Sequence, residues 1–245
     1  MVLTPGGYRH LGKVSLLCKD ALVASADAVQ AGEPRKTPAP AARPAQGWVA
    51  YTAWMNENTD AIRLFTAKWT VPPEPDDKKS GQTLFLFIGL QNTQFILQPV
   101  LQWGPSHAGG GNFWSIANWY TDGTTGQTVC SEATPVKPGQ SLTAKIECTG
   151  NVGRSFTYRA SFEGFPDLDI ERNNVVELLW AFVVLEAYGI KGPNNYPASP
   201  KVRLQPSISM ETSHAAPAWA TLPQPHIAAS PRAVLVSDGI DLFFR

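Results

Sequence analysis

From Gly47 onward the chain is cut into short apolar runs, each closed off by proline or glycine, and this punctuation leaves no room for a long helix. The runs occupy residues 48–54, 64–71, 83–89, 95–103, 113–120, 127–133, 141–148, 156–163, 177–188, 202–210 and 233–244. Breaks fall at Pro72-Pro73-Glu74-Pro75, Gly109-Gly110-Gly111, Pro138-Gly139 and Gly192-Pro193. Many short strands with turn signals between them predict an all-β protein, a two-sheet antiparallel β-sandwich with concanavalin A-like or jelly-roll wiring. A chain of 245 residues is long enough to bury such a core without disulfide or metal staples.

Residues 1–46 have a different composition and are read as a leader and linker, leaving 47–245 as the sandwich domain. Short apolar stretches at 14–17 and 21–23 end in Ala24-Ser25-Ala26, the small-x-small pattern of a signal cleavage site. Lys19 and Asp20 interrupt the stretch and oppose membrane insertion, so no clean signal peptide is read. Pro34, Pro38, Pro40 and Pro44 then hold the segment extended. Twenty basic residues balance twenty acidic ones, which gives no field for nucleic acid. No apolar stretch reaches membrane-spanning length. A monomer is expected.

Cys18, Cys130 and Cys148 make no CxxC pair, and His10, His107, His214 and His226 have no ligand spacing, so neither a metal nor another cofactor is expected. Cys130 and Cys148 flank Lys137-Pro138-Gly139; a hairpin there would set them nearly opposite and allow a disulfide. Gly109-Gly110-Gly111 lacks the Lys and Ser or Thr of a phosphate loop and reads as a flexible turn that could flap over a cleft. No nucleophile elbow, HExxH or paired Asp-Thr-Gly motif is present.

Two strands each hold a polar residue among apolar neighbours: Gln98 within 95–101 and Glu186 within 180–188. Burial strips such groups of water, which is tolerated when they are hydrogen-bonded, paired or useful. Period-two alternation puts Gln94, Ile96, Gln98, Val100 and Gln102 on one face of their strand, and Trp180, Phe182, Val184, Glu186 and Tyr188 on one face of theirs. A third strand groups Trp114, Ile116, Asn118 and Tyr120. If these faces line one concave surface they form an aromatic groove with a few amides and one carboxylate, as a binding cleft requires.

At these residues the chain resembles the glutamic peptidases, or eqolisins. The resemblance runs in order through Phe65-Thr66-Ala67-Lys68-Trp69-Thr70-Val71-Pro72, Phe87-Ile88-Gly89-Leu90, Ile96-Leu97-Gln98, Trp119-Tyr120, Ala181-Phe182-Val183-Val184-Leu185-Glu186 and Tyr196-Pro197-Ala198-Ser199. It implies an acid endopeptidase in which Glu186 takes a proton from the attacking water and returns it to the leaving amine, while Gln98 donates to the oxyanion. It also implies a polypeptide substrate, secretion, and substrate contacts from Phe87, Gln91, Trp114, Asn118, Tyr120, Phe182 and Tyr188. Two departures stand out. Gln91 replaces the family's Asp and Asn118 its Glu, so the groups that tune the catalytic acid differ. A lectin-like carbohydrate-binding sandwich and a peptidase relative without activity are the alternatives.

Overall fold

The computed structural model describes residues 47–57, 60–123, 125–212, 214–221 and 231–244. The leader 1–46, with Cys18 and the Ala24-Ser25-Ala26 motif, lies outside the described residues, as does His226. The strands are β1 Trp48–Met55, β2 Ile62–Thr70, β3 Thr83–Gln91, β4 Phe95–Ser106, β5 Gly109–Asp122, β6 Thr128–Cys130, β7 Thr134–Pro135 and β8 Ser141–Val152. They continue with β9 Ser155–Phe162, β10 Ile170–Val175, β11 Trp180–Tyr188, β12 Lys201–Met210, β13 Ala220–Thr221, β14 Arg232–Val236 and β15 Gly239–Phe243. Two 3₁₀ turns, Pro166–Leu168 and Pro193–Asn195, complete the regular structure among the described residues.

All pairings are antiparallel and form two sheets. The first runs β13-β1-β11-β3-β4-β5-β6, with β7 also on β5; the second runs β10-β9-β8-β2-β12-β15-β14. The expected two-sheet sandwich is the observed fold. Its large interior is filled from both inner faces, among them Phe65, Trp103, Trp114, Ile146, Tyr158, Phe162 and Leu185.

The two sheets treat their outer faces differently. In β9, buried positions alternate strictly with half-exposed ones, which marks a strand dry on one side and wet on the other. In β3 and β11 nearly every position is buried. The outer face of the first sheet therefore carries a second apolar cluster, of Trp48, Phe85, Phe87, Ile96, Val100, Trp119, Phe182 and Val184 among others.

The last apolar run contains two strands, β14 and β15, which turn at Ser237-Asp238 and pair through Val236 and Gly239. Strand β10 has no apolar signature in Ile170-Glu171-Arg172-Asn173-Asn174-Val175 and forms by pairing with β9 at the sheet edge, where polar residues are tolerated. The Cys130–Cys148 disulfide that a hairpin would allow is not formed. Lys137-Pro138-Gly139 is no hairpin: the backbone N–H of Val136 donates to Trp114 in the first sheet, and that of Val71, just past β2 of the second sheet, donates to Gln140. The segment crosses between sheets, so Cys130 ends beside Trp119 in one and Cys148 beside Tyr158 in the other.

Candidate functional site

Glu186 lies on the central part of the first sheet, between β1 and β3, and is 1% exposed. Its strand neighbours Leu185 and Ala187 point into the interior, so alternation turns Glu186 outward with Phe182, Val184 and Tyr188. Burial raises the carboxyl pKa to about 7, an effect offset in part by the Tyr188 hydroxyl, which donates to Oε1, and by the Trp48 indole. The indole N–H itself falls short of a formed hydrogen bond. Trp48 reaches this face through a bulge between Trp48 and Ala50, and its ring meets Phe182 edge-on at 5.3 Å and Phe87 at 5.9 Å.

Among the described residues one other buried carboxylate provides a contrast. Asp241, 2% exposed, is held by Arg203 Nε at 2.7 Å and Lys201 Nζ at 2.5 Å, and these cations keep its pKa below the ordinary value. Glu186 has a phenol and an indole where Asp241 has two cations. A buried acid in that setting is held as the neutral form until near-neutral pH.

Strand register decides which residues share its neighbourhood. Trp48, Glu186, Phe85, Gln102 and Ser115 sit side by side across five strands. Gln98 shares the outer face but lies four residues further along β4, paired with Trp119. Four residues along and two strands across place the Gln98 and Glu186 Cα atoms about 16 Å apart, and side chains standing upright on a sheet at that separation share no water. The expected Gln98–Glu186 pair is not brought together.

Gln102 is the amide on the Glu186 rung and is fully buried. Its Nε2 donates to the Gly109 carbonyl at 3.0 Å and to that of Gly104 at 3.3 Å, and its Oε1 accepts from Ser106 Oγ at 3.0 Å. The expected flap is thus a hairpin tip tied to the sheet by Gln102. Gly110, at φ +89°, passes so close that a Cβ there would overlap the Gln102 amide. Between Glu186 and Gln102 stands Phe85, whose ring lies edge-on to Tyr188 at 6.2 Å and to Trp119 at 6.1 Å.

Phe87, Phe182 and Tyr188 line the outer face, and Gln91 is buried at the far end of β3, opposite Trp180 and Ile96. Trp114, Asn118 and Tyr120 do not line it. In β5 the residues turned outward are Ala117 and Trp119, so Trp114, Asn118 and Tyr120, on the opposite parity, turn inward. Trp114 packs edge-on against Trp103 at 5.6 Å in the interior. Asn118 Nδ2 donates to the Leu168 carbonyl at 2.8 Å, which ties down the first 3₁₀ turn. Tyr120 stacks on Phe95 at 5.6 Å beneath the Arg172 guanidinium, and burial raises its pKa.

Sequence reasoning missed Trp48, Phe85, Ser115 and Trp119 as members of this surface, and gave Gln102 no role on it. Gln102 already had the right parity; what singles it out is its pairing with Phe85, a long-range fact. Among the described residues no group of three His, Cys, Asp or Glu side chains is placed to hold a metal ion.

No family model and no curated protein sequence matches the chain. Solved structures do. Scytalidoglutamic peptidase with a transition-state-analogue inhibitor superposes with a TM-score of 0.55 at 9% identity, over 81% of this chain and 98% of that one. A second structure of that enzyme, with a peptide-based analogue, gives 0.53 at 10% identity over the same shares. SCP-B, an eqolisin-family peptidase in complex with the tripeptide Ala-Ile-His, gives 0.50 at 12% identity over 82% and 98%. At these identities the likeness establishes a shared fold: the chain is built as the eqolisin sandwiches are, end to end along their length.

Proposed function

We propose that the protein is a glutamic-peptidase-like endopeptidase that cuts polypeptides with Glu186 as acid and base and with Gln102, in place of Gln98, as the assisting amide. The observation that carries this reading is Glu186 itself: a carboxyl on the outer face of a peptidase-like sandwich, stripped of water and given no cation, with its pKa raised to about 7. Burying an acid in this way costs stability, and perturbed acids of this kind cluster at sites that move protons.

In the proposed cycle the Glu186 carboxylate removes a proton from a water set against the scissile carbonyl. The resulting acid then returns that proton to the leaving nitrogen. Gln102 exchanges its longer contact, to the Gly104 carbonyl, for the developing oxyanion, while the bond to Gly109 keeps the hairpin tip in place. A base with a pKa about 7 is mostly charged only near neutrality. The strongly acid optimum implied by the family resemblance therefore gives way to a near-neutral one.

The test is cleavage of a quenched-fluorescent peptide library from acidic to neutral pH. Glu186→Gln is expected to abolish cleavage, and Gln102→Leu to lower kcat by roughly 10²–10³-fold, the cost of one lost oxyanion donor. Undiminished cleavage by Glu186→Gln overturns the proposal. A second reading, a peptidase relative without activity, is favoured by Phe85 standing between the acid and the amide. It predicts no cleavage at any pH, and none restored by Phe85→Ala.

A further inference from the structure

With Gln102 taking the amide role, Gln98 is left without one. The residue is 4% exposed, and its Oε1 is buried without a hydrogen-bond partner. Directly beside it, across the β4–β5 pairing, Trp119 is 1% exposed and its indole N–H is likewise unpartnered. One group can only accept and the other can only donate. A folded protein rarely leaves both buried and unmet.

Other orphaned polar atoms, such as those of Thr52, Trp69 and Trp103, belong to side chains turned to the space between the sheets, where no ligand reaches. Two rungs of the outer face each hold two such atoms: Trp48 Nε1 and Ser115 Oγ beside Glu186, and Gln98 Oε1 with Trp119 Nε1 four residues away. Four residues of strand span about 13 Å, the same length as four residues of an extended peptide laid along it. In an extended chain the N–H and C=O of one residue point the same way, so a single residue can meet an acceptor and a donor set side by side.

We propose that Gln98 and Trp119 form an end subsite for an extended polypeptide, Gln98 Oε1 accepting the backbone N–H and Trp119 Nε1 donating to the C=O of one residue about four positions from the bond held at Glu186. The inference rests on the peptidase reading for the identity of the ligand, and it gives Gln98 a positioning role and no part in bond breaking. It also sets a length requirement: peptides too short to span both rungs forgo this grip.

The experiment measures binding, so that it stands apart from cleavage. Calorimetry on the full chain carrying Glu186→Gln would use blocked alanine-rich peptides of four and of ten residues. The longer peptide is expected to bind at least tenfold more tightly. Gln98→Leu and Trp119→Phe, each added to Glu186→Gln, are expected to erase that advantage while leaving the short peptide unchanged. N-methylation of single backbone amides should reproduce the loss at one position only, which tests the contact without altering the protein should a variant fold poorly. Equal affinity for both lengths overturns the subsite, as does a Gln98→Leu effect that is the same for both. A protein that cleaves nothing but keeps the Gln98-dependent preference for length would overturn the hydrolase reading and support the subsite.

Discussion

Glu186 couples the chemistry of the site to the stability of the fold. Its pKa is raised from 4.5 to about 7, so between those values the folded protein holds a proton that the unfolded chain has released. Stability is then fully present below about pH 4.5 and falls as pH rises to 7, by about 3 kcal/mol for this group alone. Asp241 acts in the opposite sense, because its lowered pKa withdraws stability as pH falls below the ordinary value of 3.8. Thermal melts across pH are expected to peak between these two limits, and Glu186→Gln should flatten the decline on the neutral side. A Tm unchanged between pH 5 and pH 7 in the parent protein would contradict the assignment of a buried, uncompensated acid. At this scale much was legible in advance: both Gln98 and Glu186 announced themselves as polar residues in apolar strands, and both are buried on the outer face. Their partners were not legible, since a one-dimensional pattern gives parity without the long-range register that decides which amide meets which acid.

Among the elements, the β4–β5 hairpin carries the most consequence for the site. Gln102 fastens its tip to the sheet through Gly104, Ser106 and Gly109, and Gly110 has room only because it lacks a Cβ. Gly110→Ala therefore meets both a left-handed backbone and the Gln102 amide, and is expected to destabilise by roughly 1–3 kcal/mol, read as a Tm lower by about 2–4 °C per kcal/mol. On the proposed mechanism it should also lower kcat more than it raises KM, because the displaced group is the amide proposed to meet the oxyanion. The strands themselves were readable from their apolar runs and breakers, with ends off by a few residues. Strand β10 was not, because an edge strand is held by its partner β9 and needs few apolar residues of its own. The turn at Pro138-Gly139 was recognised as a turn but not as a crossover, since a reversal within a sheet and a step between sheets use the same residues.

For the whole molecule, the two sheets answer to different rules. The second sheet shows the plain alternation of a wall with water on one side, while the first is dry on both, which is why its inward and outward residues looked alike in sequence. That likeness explains the misplacement of Trp114, Asn118 and Tyr120: three aromatic or amide side chains on one face of β5 suit an interior as well as a cleft. The separation of Cys130 and Cys148 onto different sheets yields a further prediction. Reductant should leave the Tm unchanged, and after unfolding without reductant Cys130 and Cys148 should both be alkylated when followed by peptide mapping and mass spectrometry; a peptide linking Cys130 to Cys148 would contradict the crossover.

Gly47 sits where the described domain begins, its carbonyl accepting the Ala187 N–H and its backbone at φ +111° pressed against the Tyr188 hydroxyl. A methyl group at this position would push the phenol off Glu186, and because that bond favours the charged carboxylate, its loss would drive the acid's proton affinity higher still. Gly47→Ala is thus a remote dial: a substitution in a residue with no reactive group of its own that retunes the pH at which Glu186 gives up its proton.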